Sequence, residues 1–90
     1  MPEPFTVLLP RLLAERGLSK YAFAKALRMH APTLHAILAG KRPFPEARIA
    51  EAAKILGAKG QERVEFEDSS AMTHATDRIA RLVERLERRR

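Results

Sequence analysis

Residues 18–42 read LSKYAFAKALRMHAPTLHAILAGKR, from Leu18 to Arg42, and this stretch decides the fold. Ser19 is a helix N-cap type, because a short side-chain oxygen can accept from a free amide of the first turn. Behind it, Lys20 to Leu27 reads as a short helix with Phe23, Ala24 and Leu27 on its buried side. Arg28, Met29 and His30 interrupt the periodicity. A second short helix follows from about Ala31 to Ala39. Pro32 is tolerated in its first turn, where the amide that proline lacks would be unpaired anyway. Gly40 closes this helix, and Leu34, Ile37 and Leu38 fall on one side of it at about 100° per residue. Two short helices joined by a three-residue break have helix-turn-helix geometry.

Upstream, Phe5, Leu8, Leu9, Leu12 and Leu13 recur at spacings of one helix face. Pro10 falls within that pattern, which predicts a helix proper starting near Leu8 with Pro10 in its first turn. Gly17 ends it. Downstream, Pro43 and Pro45 mark a loop, and Glu46 to Leu56 reads as a helix with Ile49, Ala52, Ala53 and Leu56 inward and Gly57 as its stop. Gln61 to Met72 reads as a fifth helix anchored by Val64, Phe66 and Met72. A boundary is expected near Thr73–Thr76, with Thr76 capping a last helix from Asp77 to about Arg88. That last helix carries the stripe Ile79, Leu82, Val83 and Leu86. Strand alternation is nearly absent.

Composition narrows the function classes. Ninety residues allow one domain. A chain of this size buries about 60–65% of its unfolded surface, which leaves little room for both a core and a deep cleft. With 46% hydrophobic and 31% charged residues the chain is globular in character. No apolar run approaches the roughly 18–20 residues of a membrane span. The N-terminal stretch lacks a basic flank and a small-residue cleavage site, so no signal peptide is expected, and the expected location is cytoplasmic. Cysteine is absent, which removes disulfides, thiolate metal sites and cysteine nucleophiles. His30 and His35 stand about 140° apart around a helix, a poor arrangement for a shared metal. Ser69-Ser70 has no catalytic pattern beside it, and the glycines are helix stops. No enzyme, cofactor or metal is expected.

The net charge is +6, and its distribution matters more than its size. Residues 11–48 hold eight bases, Arg11, Arg16, Lys20, Lys25, Arg28, Lys41, Arg42 and Arg48, against two acids. Residues 49–72 are net acidic, and residues 73–90 are basic again with six arginines. A basic half of this kind suits a polyanionic partner. Arg88-Arg89-Arg90 reads as a solvated tail with a minor part in attracting DNA.

Leu18-Ser19, Ala24-Lys25-Ala26-Leu27, Thr33-Leu34, Ile37-Leu38, Gly40-Lys41-Arg42 and Ala52-Ala53-Lys54-Ile55-Leu56-Gly57, in this order and spacing, resemble the lambda-repressor/Cro-like (XRE) helix-turn-helix family. The resemblance covers about Leu8 to Gly57. It implies an all-α, compact five- to six-helix lambda-repressor-like DNA-binding domain, acting as a dimer on double-stranded DNA with the third helix in the major groove. The helix-turn-helix domain is then residues 5–72, and residues 73–90 form a C-terminal amphipathic helix that serves as a dimerisation element.

The resemblance places Ala31, Pro32 and Ala36 at positions that often read bases, with Thr33 and His35 beside them. Lys20 matches the phosphate-contacting start of the second helix, and Lys41 and Arg42 match the backbone-gripping loop. Ser19, Lys25 and Arg28 complete the phosphate candidates. Two departures stand out. The outward face of the third helix carries small or apolar residues where glutamine, asparagine or arginine would make bidentate base contacts. The turn has Arg28 where glycine is common and His30 where a serine or threonine cap is common. Base readout then rests on His35, Thr33, methyl contacts and DNA shape. The alternative is a degenerate helix-turn-helix that binds protein, as an antitoxin or anti-repressor does. The stripe Ile79, Leu82, Val83 and Leu86 likewise has two readings, as core folded back on the domain or as a seam with a second copy; the second is preferred.

Overall fold

The computed structural model describes residues 3–88, so Arg89 and Arg90 of the expected basic tail lie outside it. Its five helices are α1 (Phe5–Glu15), α2 (Lys20–Ala26), α3 (Ala31–Leu38), α4 (Glu46–Leu56) and α5 (Gly60–Arg88). There is no strand among the described residues, so the fold is all-α as expected. α1 packs against α2, α3 and α5, and α4 packs against α5.

α1 starts three residues earlier than the periodicity suggests. Pro4 takes its N-cap, and the amides of Val7 and Leu8 donate to the Pro4 carbonyl at 2.9 and 2.8 Å. Pro10 therefore lies inside the helix, not in its first turn. An interior proline removes one hydrogen bond and crowds the carbonyl four residues back. Here that carbonyl belongs to the exposed Thr6, where water can take it. The compensation is Phe5, whose buried ring lies 5.0 Å from that of Phe44 and 5.9 Å from that of Phe66, centroid to centroid. Aromatic pairs at these separations are worth about 0.5–1.5 kcal/mol beyond the area they bury.

The rest of the core follows the periodicity. Leu8, Leu9, Leu12 and Leu13 from α1, Phe23, Ala24 and Leu27 from α2 and its end, Leu34 and Ile37 from α3, and Ala52, Ala53 and Leu56 from α4 are all buried. Ile49 is half-buried against them. α2 and α3 each end one residue before the expected position, with Leu27 and Ala39 as their C-caps. Gly57, at φ 66°, gives α4 the left-handed stop that a side chain would resist.

The largest correction concerns α5. It is one continuous helix of 29 residues, where two helices with a boundary at Thr73–Thr76 were expected. Thr76 is not a cap, and the division at residues 72 and 73 falls inside the helix. No glycine or proline stands between Gly60 and Arg88, so nothing in the backbone stops the ladder. Val64 is also misread as an anchor: it lies two residues, about 200°, from the buried Phe66 and is exposed. At about 1.5 Å per residue α5 is roughly 43 Å long, which nearly spans the 47 Å long axis of the molecule. Among the described residues no helix is long and apolar enough to cross a membrane.

Candidate nucleic-acid interface

The geometry of the turn begins with Ser19. Its hydroxyl accepts from the Ala22 amide at 3.0 Å and so starts α2 after the break at Gly17. α2 ends when Arg28 turns left-handed, with φ 57°. The Met29 amide then donates back to the Ala24 carbonyl at 2.8 Å, which seals the end of the helix. Arg28 therefore occupies a conformation that glycine adopts freely and other L residues enter at a cost of about 1–2 kcal/mol. His30 caps α3 through extended backbone, with no side-chain hydrogen bond.

α3 is fixed from within and open from without. Leu34 and Ile37 are sealed in the core and Leu38 is half-buried. On the outer side Ala31, Pro32 and His35 are exposed, while Thr33 and Ala36 are half-buried. Ala36 is thus a shoulder of this face, and Pro32 and His35 are its crest. A crevice between α2 and α3 brings Lys25, Tyr21, His30, Ala31 and Pro32 together. A second crevice joins Lys20 and Tyr21 to Ala31 and His35.

Tyr21 lines both crevices and is 69% exposed, yet the sequence reading passed over it. An exposed aromatic next to Lys20 at a helix start was the available signal. Its phenol adds a donor beside an otherwise apolar face.

The charges divide cleanly. Three of the eight bases in residues 11–48 are committed to the fold. Arg11 pairs with Glu3 at 2.7 Å and Glu15 at 3.3 Å. Arg16 holds the Leu56 carbonyl and Glu62, which ties α1 to the far end of α4 and to α5. Arg48 donates to the Leu27 carbonyl at 2.9 Å and so fastens α4 to the end of α2. The other five, Lys20, Lys25, Arg28, Lys41 and Arg42, are exposed and make no ion pair among the described residues. Lys20 and Lys25 stand beside the α2–α3 crevices. Lys41 and Arg42 lie past the other end of α3, where they rim a groove shared with Phe5, Met72 and Asp77.

The loop bearing Lys41 and Arg42 is held from behind. Phe44 is fully buried, and α5 grips its backbone at both ends. The Phe44 amide donates to the Thr73 hydroxyl at 2.8 Å, and the Phe44 carbonyl accepts from Nε2 of His74 in the tautomer protonated there. Neither contact was legible in a segment read as a helix boundary. The buried serines serve the scaffold too: Ser69 donates to the Glu3 carbonyl and Ser70 to the Phe66 carbonyl at 2.7 Å. The stripe residues Ile79, Leu82, Val83 and Leu86 stand far along α5 and are 48–62% exposed, so they do not fold back as core.

Two short helices at a tight turn, the second with its inner face sealed and its outer face bare among unpaired bases, define a DNA-binding helix-turn-helix domain. The chain belongs to the family described as Helix-turn-helix domain, whose sequence model matches residues 5–66, well over half its length. The lambda-repressor/Cro-like resemblance is consistent with that match. No curated protein and no solved structure matches the chain.

Proposed function

We propose that the chain is a sequence-reading transcriptional regulator, a cytoplasmic repressor that occupies promoter DNA as a dimer and blocks polymerase sterically. The observation that carries this reading is the division of charge within residues 11–48: the five bases left unpaired there, among the described residues, are those that border α3 and the turn before it. α3 enters the major groove with Ala31, Pro32 and His35 foremost and Thr33 and Ala36 at their sides. Thr33 and Ala36 offer methyl groups to thymine, and His35 supplies a hydrogen-bonding ring. Small residues at the crest let the helix approach closely, and much of the discrimination comes from DNA shape. Ser19, Lys20, Lys25, Arg28, Lys41 and Arg42 contact phosphates. Ile79, Leu82, Val83 and Leu86 join the two copies.

The test is binding to duplex DNA across a salt series, followed by selection of bound sequences from a random pool. Five cationic contacts per copy give a slope of log K against log salt near −4.5 for one copy and near −9 for two. A selected site with two-fold symmetry is the expected outcome. The absence of glutamine, asparagine and arginine from the α3 crest favours one other reading, a protein-binding module such as an antitoxin or anti-repressor. A flat, negligible DNA signal at all salt concentrations would move the assignment there.

A further inference from the structure

We infer that α5 joins a second copy of this chain as a parallel, in-register two-stranded coiled coil over Met72–Leu86. The inference deepens the dimer of the preceding reading, and its test makes no use of DNA.

The seam is set by spacing. Met72, Ala75, Ile79, Leu82 and Leu86 follow one another at three, four, three and four residues, the a and d positions of two heptads. Ile79 at an a position with Leu82 at the next d position is the combination that favours two parallel strands. The seam is also turned away from the rest of the chain. Phe66, Ser69, Ser70 and Thr73 mark the face of α5 that packs on the body. At about 100° per residue the exposed stripe lies roughly 140° around the helix from that face. From Ala75 to Leu86 its own domain leaves the seam exposed, while Met72 at its start is half-buried at the groove shared with Phe5.

Charge chooses the direction. Asp77 pairs with Arg81 at 3.1 Å and Glu84 with Arg88 at 2.6 Å, both pairs lying away from the seam. Arg78 and Arg85 border the seam on one edge, with no ion pair among the described residues, and Thr76 and Val83 border it on the other. Antiparallel helices bring like edges together, which sets Arg78 beside Arg85 of the second copy twice over. Parallel helices bring unlike edges together, so the Arg78 stem lies over Val83 and each seam residue meets its own counterpart. Parallel pairing also places both helix-turn-helix units at the same end of the assembly.

Two heptads give a weak seam, so pairing is concentration-dependent and strengthens when one ligand holds both copies. Because the chain has no cysteine, a single introduced thiol reports on it cleanly. Ala75 is exposed, and Ala75→Cys lies in the seam; Glu84→Cys lies on the far side and serves as the collision control. On mild oxidation of the full chain, Ala75→Cys is expected to give a covalent two-chain species on a non-reducing gel, at least tenfold faster than Glu84→Cys. Equal rates for the two variants, or monomer alone from both, would overturn the pairing. Cross-linking only in a mixture of Ala75→Cys with Leu86→Cys would overturn the parallel direction. A covalent dimer that ignores DNA would instead count against the preceding reading alone.

Discussion

The Phe44 amide donates to the Thr73 hydroxyl at 2.8 Å, and that hydroxyl in turn donates to the Ser70 carbonyl at 2.6 Å. One side chain thus ties the loop after α3 to the middle of α5. It fixes the base of the segment that carries Lys41 and Arg42, and it links the helix with the exposed stripe to the helix with the exposed crest. Thr73→Val keeps the shape and removes the acceptor, which leaves a part-buried amide unpaired. The expected loss is about 1–3 kcal/mol. Each kcal/mol lowers Tm by about 4–8 °C in a domain of this size. An unchanged melt would show that water replaces the hydroxyl without loss.

Arg28 at φ 57° predicts two effects that oppose each other. Arg28→Gly relieves a left-handed side-chain conformation, and part of the gain is lost to the greater freedom of glycine in the unfolded chain. Stability should rise by about 0.5–1 kcal/mol in thermal or urea unfolding. DNA affinity should fall, because the substitution removes a proposed phosphate contact. A lower Tm would mean that the Arg28 side chain supports the turn through contacts beyond its own backbone.

Lys41 and Arg42 are exposed and make no ion pair among the described residues. Replacing both with alanine should leave the melt within about 0.5 kcal/mol of the parent. The salt slope of DNA binding should become shallower by about two for each copy. A slope that does not move would place the loop outside the interface.

Pro32 is the better probe of the α3 crest, since Ala36 is half-buried and a large residue there would disturb packing as well as binding. Pro32→Glu puts an acid in the first turn of the helix, where the dipole favours it. The protein should be as stable as the parent or slightly more so, while DNA binding falls at least tenfold through repulsion from the phosphates. Retention of full affinity, measured by fluorescence anisotropy, would show that α3 is not the reader.

Leu82 is half-exposed in the single chain. Leu82→Glu should therefore leave the thermal melt of dilute protein unchanged and shift sedimentation at high concentration towards one chain. A chain that unfolds outright would place Leu82 in a core of its own subunit.

The helix-turn-helix was legible in residues 18–42 because its signals are local. A cap at Ser19, a stop at Gly40 and the period of Leu34, Ile37 and Leu38 depend on neighbours within a turn or two. α4 was read to the residue for the same reason, between Pro45 and Gly57. The misreadings came where distant contacts outweighed local chemistry. Pro10 pointed to a start near Leu8, yet burial of Phe5 against Phe44 and Phe66 starts the helix three residues earlier, at Phe5. Thr73 and Thr76 looked like a boundary, yet Thr73 turns its hydroxyl to a loop 29 residues away.

The amino-acid order by itself determined the helical class, the turn, the inner face of α3 and the surplus of positive charge. Only the tertiary structure decided which positive charges are free. Along the chain Arg11 and Arg48 differ from Lys20, Lys25, Arg28 and Lys41 only in having an acid one turn away, Glu15 and Glu51, and nothing local marks the bonds of Arg16 to the Leu56 carbonyl and Glu62 or of Arg48 to the Leu27 carbonyl. A base becomes structural when folding brings a carboxylate or carbonyl within reach, and that partner can lie 40 residues away, as the Leu56 carbonyl does from Arg16. Packing between helices sets such distant encounters, and local spacing records only pairs one turn apart, such as Arg11 with Glu15.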